Sequence, residues 1–135
     1  MNVVIDTNVI ASARFFGGKP RKLIWLLMSD RYDAYVSEEI IKEYTETDAQ
    51  LKEYYPDKPV SFSLEGIISK MHQIDTATEV HVCRDPDDDK FIGCAIDSKS
   101  KYIVSGDKDL LAVGRHEDVE IVTVADFLKE NFPND

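Results

Sequence analysis

The chain has 135 residues, of which 43% are hydrophobic and 31% charged. This length suits one domain with a single core, here residues 1–135, and the composition is typical of a globular protein rather than a disordered chain. The formal net charge of −10 argues against a protein that holds nucleic acid by bulk electrostatic attraction.

The apolar segments and the cysteines exclude two further classes of protein. The longest apolar run, Leu23 to Met28, is too short to cross a bilayer, and the N-terminus lacks the layout of a signal peptide. Cys83 and Cys94 have no CxxC spacing, which favours free thiols over a zinc site or a disulfide. We therefore expect a cytoplasmic protein without a membrane partner.

The first predicted strand, Val3 to Ile5, is followed at once by Asp6, Thr7 and Asn8. A β-branched apolar run of this kind indicates a buried parallel strand, and ligands bind at the carboxyl edge of such sheets. Taken alone, Asp6 is better explained as the N-cap of the next helix. A functional role needs further acids at the same edge.

Two helices and a second strand are predicted next. The second helix begins after Gly17 and Gly18 with Pro20 at its first position, and its apolar residues are spread nearly all round, which predicts burial on several sides. The three elements are a helix over Val9–Phe15, a helix over Arg21–Asp30 and a strand over Tyr32–Val36.

The rest of the chain continues to alternate between helices and strands. Ser37 is the predicted N-cap of a helix that continues to Tyr55. The later elements are an amphipathic helix over Leu64–Met71, a third strand over Glu79–Cys83, a helix with Pro86 at its start, a fourth strand over Tyr102–Val104, a short helix over Asp109–Val113, a fifth strand over Val119–Val122 and a helix over Thr123–Asn131. This alternation predicts a three-layer α/β/α fold with a central parallel sheet of about five strands.

Four acids lie at the ends of predicted strands or in the helices that follow them. They are Asp6, Glu43, Asp89 and Asp107. Because the carboxyl ends of parallel strands share one edge, these side chains can converge. Carboxylates at close range cannot all stay ionised without a cation. The cluster therefore predicts Mg²⁺ or Mn²⁺, which prefer carboxylate oxygen ligands.

Each acid also has a structural explanation. Glu43 fits a solvated helix face, and Asp107 or Asp109 fits an N-cap. The acids from Asp85 to Asp89 crowd a helix start, where the helix dipole favours them. An EF-hand interpretation of this run fails, because Lys90 stands at the glycine position and Ile96 at the final acid position.

The order and spacing of four motifs resemble the PIN-domain family, small metal-dependent ribonucleases that include toxins of type II toxin–antitoxin pairs. The resemblance covers essentially the whole chain and implies the three-layer α/β/α fold. The motifs are Val4-Ile5-Asp6-Thr7-Asn8-Val9, Ser37-Glu38-Glu39-Ile40-Ile41-Lys42-Glu43-Tyr44, Asp85-Pro86-Asp87-Asp88-Asp89-Lys90-Phe91-Ile92 and Ser105-Gly106-Asp107-Lys108-Asp109-Leu110-Leu111.

The resemblance implies a role for each matching residue. Asp6, Glu43, Asp89 and Asp107 are similar to the four family acids that hold the metal and catalyse cleavage. Asp89 is preferred over its neighbours Asp87 and Asp88 because it lies one turn before Ile92 and leans inward. The supporting residues are Asn8, which orients the first acid, Ser105, two positions before the fourth, and the additional acid Asp109.

The resemblance further implies an endoribonuclease that cleaves single-stranded or unpaired RNA, a small antitoxin partner and a homodimer. The candidate phosphate contacts lie in a basic stretch after Asp6, for which ordinary solvated charge is the alternative. They are Arg14, Lys19, Arg21 and Lys22. An aromatic segment from Leu51 to Phe62 is either a surface for such a partner or local loop packing.

Two other functions stay open at this point. A module that binds RNA or a partner without cleaving it has the same fold, although the presence of all four acids argues against it. A phosphohydrolase with an acidic site needs a second Asp two positions after the first, where this chain has Asn8. Titration of Mn²⁺ with a generic RNA separates the non-cleaving module from the nuclease.

Overall fold

Six short strands form one sheet in a computed structural model that describes residues 1–135. The strands are β1 (Asn2–Ile5), β2 (Asp33–Val36), β3 (His72–Gln73), β4 (Tyr102–Val104), β5 (Arg115–His116) and β6 (Val119–Val122). Their spatial order is β3-β2-β1-β4-β6-β5, with β1 and β4 at the centre. All neighbours pair parallel except β5, which pairs antiparallel with β6 at the edge.

Seven helices cover the sheet and give a three-layer α/β/α fold, which confirms the predicted class. The sheet has one strand more than expected, the two-residue edge strand β5. The helices are α1 (Thr7–Phe15), α2 (Lys19–Met28), α3 (Glu38–Tyr54), α4 (Leu64–Ser69), α5 (Asp89–Asp97), α6 (Lys108–Val113) and α7 (Val124–Asn131), and a 3₁₀ turn over Pro86–Asp88 precedes α5. No helix is both long and apolar enough to cross a membrane.

The central strands are buried on both faces, as in other parallel sheets whose two faces are covered by helices. Val3, Val4 and Ile5 have no exposed surface. In the register, Val3 lies opposite Ala34 of β2 and Tyr102 of β4. A core of 31 buried residues extends from this centre, and it fixes where the polar residues after β1 and β4 emerge.

The prediction of a strand over Glu79–Cys83 is wrong. Residues 74–82 have no regular structure, and the strand next to β2 is instead β3, where His72 lies opposite Tyr35. The backbone N–H groups of Val82 and Cys83 donate to the carboxylate of Asp89, so they take no part in a sheet ladder. An acidic side chain of α5 therefore accepts the backbone hydrogen bonds that a neighbouring strand would accept in a sheet.

The predicted burial of the second helix on several sides is only partly correct. Leu23, Ile24, Leu26 and Leu27 of α2 are buried, but the Trp25 side chain is 54% exposed. Because α2 belongs to an outer layer of the fold, one of its faces meets solvent, and Trp25 lies on that face with Arg21 and Lys22.

Candidate functional site

Asp6 emerges at the centre of the sheet, between the ends of β1 and β4. Its backbone N–H donates to the carbonyl oxygen of Val104 at 3.0 Å. It occupies the N-cap position of α1, but its side chain makes no capping hydrogen bond. The buried Ser105 hydroxyl donates to Oδ2 of Asp6 at 2.6 Å instead. The structural explanation for this acid, helix capping, therefore does not hold.

Burial raises the pKa of Asp6 above its ordinary value. The Ser105 hydroxyl and the backbone N–H of Thr7 oppose this effect, while the negative charges of Asp107 and Glu43 add to it. An acid held 4% exposed with two carboxylates within electrostatic range is destabilised as an anion. A cation at this edge would remove that destabilisation.

Ser105 joins Asp6 to the acids that follow β4. The backbone N–H of Asp107 donates to the Ser105 hydroxyl oxygen at 2.9 Å, while the Asp107 side chain caps α6 by accepting from the N–H of Leu110 at 3.0 Å. Asp107 is thus both an N-cap and a member of the acidic edge. One hydroxyl, 0% exposed, fixes the two acids relative to each other.

Three half-buried acids near Asp6 form what we call the acidic triad: Asp88, Asp107 and Asp109. One carboxylate oxygen of each lies within 4.8 Å of those of the other two. Burial and the neighbouring Asp107 carboxylate raise the pKa of Asp88 to about 7. Crowded oxygen ligands without nitrogen or sulfur fit a hard divalent cation such as Mg²⁺ or Mn²⁺.

Asp89 lies beside the triad but its side chain has other partners. Its Oδ1 accepts from the N–H groups of Cys83 at 2.9 Å and Val82 at 3.2 Å. Burial acts to raise the pKa of Asp89, but the hydrogen bonds to Cys83 and Val82 outweigh it and lower the pKa. The geometry therefore favours Asp88 as the third acid and gives Asp89 a role in holding residues 82–83.

The cause of this difference is the 3₁₀ turn that ends at Asp88. Successive residues in a 3₁₀ turn are about 120° apart around its axis rather than the 100° of an α-helix. The inward lean of Asp89, inferred from α-helical spacing to Ile92, is correct in that Asp89 is buried. It directs that acid towards the preceding chain segment rather than towards the triad.

Glu43 reaches the same edge from α3 and is held by two residues that the sequence analysis missed. The Thr7 hydroxyl hydrogen-bonds to Oε2, and the ammonium group of Lys90 lies 2.7 Å from Oε1. The adjacent Tyr44 hydroxyl donates to the carbonyl oxygen of Ile5, which ties α3 to the end of β1. Thr7 adjoins Asp6 in the sequence, but nothing local to Lys90 indicates its distant partner.

Two of the remaining predicted site residues, Asn8 and Arg14, have other surroundings than expected. Asn8 is exposed and makes no hydrogen bond to Asp6, so Ser105 fixes that acid in its place. Arg14 is 2% exposed, its guanidinium binds Asp48 at 2.8 and 3.2 Å, and it donates to the carbonyl of Phe62. The predicted RNA contact of Arg14 is therefore wrong, because a guanidinium consumed by a buried ion pair cannot meet a phosphate.

The other basic residues remain at the surface near α2. Lys19 and Arg21 are exposed, and Arg21 donates to the carbonyl of Ala13 at 3.4 Å. Lys22 is half-buried and donates to a carbonyl oxygen of Asp135. Lys19 takes part in none of the ion pairs of the chain.

Two cavities that share one lining residue lie between the strand ends near Asp6 and this basic surface. The first, about 350 Å³, is lined by polar groups that include Asn8, Ser105 and Thr123. The second, about 420 Å³, is lined by Lys19, Lys22 and Lys129, and both cavities share Ala125. The two cavities, which we together call the groove, lie between the residues around Asp6 and three lysines at the start of α2 and on α7.

The fold and this edge define a class: an α/β protein with an oxygen-rich acidic site at the carboxyl ends of its central parallel strands. Comparison with known sequences specifies the class further. Residues 2–109 match the family model described as "PIN domain". A relative from Methanocaldococcus jannaschii, "Uncharacterized protein MJ1680", is 35% identical over 117 residues, which cover 84% of this chain and 75% of the relative.

The chain belongs to the PIN domain family. PIN domains are generally nucleases, and hence hydrolases, and typically use divalent metals. The acidic triad of this chain has the donor atoms that such a metal requires.

Proposed function

We propose that the protein is a divalent-metal-dependent endoribonuclease. The observation that carries the proposal is the convergence of Asp6 with the acidic triad, Asp88, Asp107 and Asp109, at one edge of the sheet. Membership of the PIN domain family supports the same function. In this proposal residues 1–135 act as a single PIN-like domain in the cytoplasm.

The hydrogen-bond and ion-pair partners of each acid suggest its role in the reaction. The triad would hold Mg²⁺ or Mn²⁺, with Asp6 beside it, oriented by Ser105. Glu43, whose oxygens contact Thr7 and Lys90, would orient the attacking water from the opposite side. Asp88 takes the position proposed for Asp89 from the sequence, and Asn8 contributes to the groove rather than to Asp6.

The reaction is hydrolysis of a phosphodiester. Water attacks phosphorus in line with the bond to the leaving 3′-oxygen: a bond from the water oxygen to phosphorus forms as the P–O3′ bond breaks, and the proton that the water loses ends, through solvent, on the 3′-oxygen. The bound ion would lower the pKa of that water and neutralise the charge that develops on the leaving oxygen. Glu43 would accept a hydrogen bond from the attacking water and so orient it, since an ionised carboxylate is an acceptor.

The groove from Asn8 to Lys19 and Lys129 is the proposed path of the RNA strand. Lysines beside a polar groove bind phosphates irrespective of sequence and fix the strand in register. The chain carries a net charge of −10, so such local positive charge is needed to bring RNA to the acids. Arg21 and Lys22 contribute less, because each already donates to a carbonyl within the chain.

We also propose that the protein is the toxin of a toxin–antitoxin pair, with a small antitoxin partner and a homodimeric state. The family supports these partners. One surface of suitable character is the aromatic cluster of Phe16, Tyr54 and Tyr55, where Phe16 is 55% and Tyr54 76% exposed. Co-purification with the product of an adjacent gene, and the mass of the purified protein in solution, test these two proposals.

The decisive experiment measures cleavage of a fluorescent single-stranded RNA in Mn²⁺, with EDTA as the blank. Asp6→Asn should lower the rate by more than about a hundredfold, the upper effect of losing a group that only orients a metal ligand. Asp118→Asn is the matched control, because it removes an exposed acid before β6, at the opposite edge of the sheet. Circular dichroism checks that both variants fold.

Equal rates for the parent and Asp6→Asn would contradict the site. RNA binding by the parent without cleavage in Mn²⁺ or Mg²⁺ would instead support the non-cleaving module. Cleavage that persists in EDTA would contradict the dependence on a metal.

A further inference from the structure

Lys90 has a buried side chain inside the acidic edge. It lies in the first turn of α5, two residues after Asp88, and its side chain is only 7% exposed. Its ammonium group lies 2.7 Å from Glu43 Oε1 and 3.2 Å from Asp87 Oδ1. Lysine is almost never this buried unless it is paired, so the contact with Glu43 fixes its position.

Glu43 has both oxygens engaged by the chain itself. Oε1 contacts Lys90, and Oε2 accepts from the Thr7 hydroxyl. The three acids of the triad differ, because none of them takes part in an ion pair with a basic side chain. Positive charge from the chain therefore compensates one side of the acidic edge and leaves the other side for a ligand.

We propose that Lys90 is the fixed cation of this site: a positioning residue that holds Glu43 and replaces a second divalent ion, so that the chain binds one ion, at Asp88, Asp107 and Asp109. A divalent ion beside Glu43 would meet the Lys90 ammonium at ion-pair distance, and like charges at that range repel strongly in a partly buried site. The consequence for cleavage rests on the function proposed above.

Holding Glu43 also has a catalytic purpose. A carboxylate that orients water must keep one rotamer, and contacts from two sides by Lys90 and Thr7 restrict it. Partners that orient a functional group change activity by about tenfold to a hundredfold when removed. Lys90 is therefore expected to affect the rate constant kcat more than the KM for RNA.

Calorimetric titration with Mn²⁺ alone tests the inference without reference to activity. The parent should bind one Mn²⁺ per chain. Lys90→Met keeps the aliphatic stem and removes the charge, so Glu43 is released and the stoichiometry should rise to two. Lys90→Arg should restore one ion. Lys42→Met is the control, because Lys42 adjoins Glu43 on α3 but its side chain is 76% exposed.

A double variant identifies the carrier of the second ion. Lys90→Met with Glu43→Gln should return to one Mn²⁺, since the amide cannot supply a carboxylate ligand. Cleavage by Lys90→Met should fall about tenfold in kcat and recover in Lys90→Arg. If Lys90→Met does not fold, Glu43→Gln decides in its place: it should keep one ion, because Glu43 is not part of the triad.

Several outcomes would overturn the inference: a parent that binds two ions or none, an unchanged stoichiometry in folded Lys90→Met, or loss of the single ion in Glu43→Gln. Failure of the ribonuclease proposal gives a different pattern. In that case the number of Mn²⁺ ions bound per chain still changes with the Lys90 variants as described above, but neither the parent nor any variant cleaves RNA.

Discussion

Two charged groups lie near opposite ends of α1, and they differ in how their charge is compensated. Near the end of the helix, Arg14 pairs with Asp48 of α3, and Lys52 lies 3.2 Å from the same carboxylate. At the start of the helix, Asp6 faces the acidic triad, whose members have no basic partner within the chain. The charges of the first group are all paired within the folded chain, whereas the second group has an excess of negative charge.

This difference separates charges that stabilise the fold from charges available to a ligand. A buried ion pair with all its hydrogen bonds made does not need a ligand, and removing one partner leaves the other charge buried alone. Burial and the neighbouring carboxylates of a cluster without cations raise its pKa values, as the value of about 7 for Asp88 illustrates. Only the second arrangement gains when a divalent cation binds.

The largest effect on stability should come from breaking the buried ion pair between Arg14 and Asp48. Arg14→Ala leaves Asp48 buried, and loss of one partner of a buried pair costs about 3 to 5 kcal/mol in the free energy of unfolding. The lower figure is expected because Lys52 also contacts Asp48. Urea unfolding measures the change.

Lys52→Ala is the control for this prediction, since its side chain is 59% exposed and surface pairs contribute about 0 to 1 kcal/mol. Equal losses in the two variants would mean that the buried pair has no special role. Folded Arg14→Ala should keep the Mn²⁺ affinity of the parent.

The next effect distinguishes the two neighbouring acids of the second group. Asp88→Asn should weaken Mn²⁺ binding by at least about tenfold to a hundredfold, because it removes a proposed ligand and that range already applies to partners that only orient one. Asp89→Asn should keep that affinity and lower the stability by about 1.5 to 3 kcal/mol, because it weakens hydrogen bonds that an ionised Asp89 accepts from residues 82 and 83. Calorimetry and urea unfolding measure the two quantities.

The opposite pattern, with the metal affinity following Asp89, would return the third ligand position to the residue predicted from the sequence. Asp118→Asn controls for the loss of one negative charge, because that acid is exposed and precedes β6, at the amino ends of the parallel strands.

A third prediction concerns the pH dependence of the metal-free protein. Asp88 has its pKa raised to about 7 from 3.8, and that of Asp6 is raised as well. Between these values the folded state binds more protons than the unfolded one, so stability should fall as the pH rises from about 4 to about 7. The lowered pKa values of Asp89 and Asp97 act in the opposite sense, but only below about pH 4.

Saturating Mn²⁺ should reverse this slope, because metal ligands bind as anions and release their protons. Thermal unfolding in EDTA and in Mn²⁺ from pH 4.5 to 7.5 measures both slopes. Asp88→Asn should flatten the EDTA curve, and an unchanged curve in that variant would contradict the charge excess assigned to the triad.

The parts of the site that the sequence predicted follow from local rules. Asp6 and Asp107 come directly after buried strands, and strand ends of a parallel sheet meet at one edge. The fold class follows from the alternation of helical and strand patterns along the chain. This inference does not depend on which strands pair in the sheet. These inferences need no knowledge of which side chains meet.

The parts that were missed depend on contacts between distant residues or on local geometry without a clear signal. The Arg14 partner is 34 positions away in the chain, so its burial has no local sign. The burial of the Lys90 side chain also has no local sign in the sequence, because its partner Glu43 lies on another helix. β3 has only two residues, both exposed, and no alternating pattern. The proposed exchange of Asp88 for Asp89 as the third acid depends on a single 3₁₀ turn.

The smallest predicted effect tests whether the basic end of the groove serves RNA. Lys19 and Lys129 line the second cavity of the groove, and neither takes part in an ion pair of the chain. Lys19→Ala with Lys129→Ala removes two phosphate contacts. The slope of log K against log salt should become shallower by about 1.4, since each contact to single-stranded nucleic acid contributes about 0.7.

Fluorescence anisotropy from 50 to 200 mM NaCl, about the range in which such slopes are resolved, measures this in an Asp6→Asn background that does not cleave the probe. Lys99→Ala with Lys101→Ala is the matched control. It removes the same charge at the amino end of β4, on the opposite edge of the sheet. Equal slopes in the two double variants would mean that RNA responds to total charge alone, and the groove would lose its role. A change confined to Lys19 and Lys129 would show that a chain with a net charge of −10 binds RNA through a local basic surface.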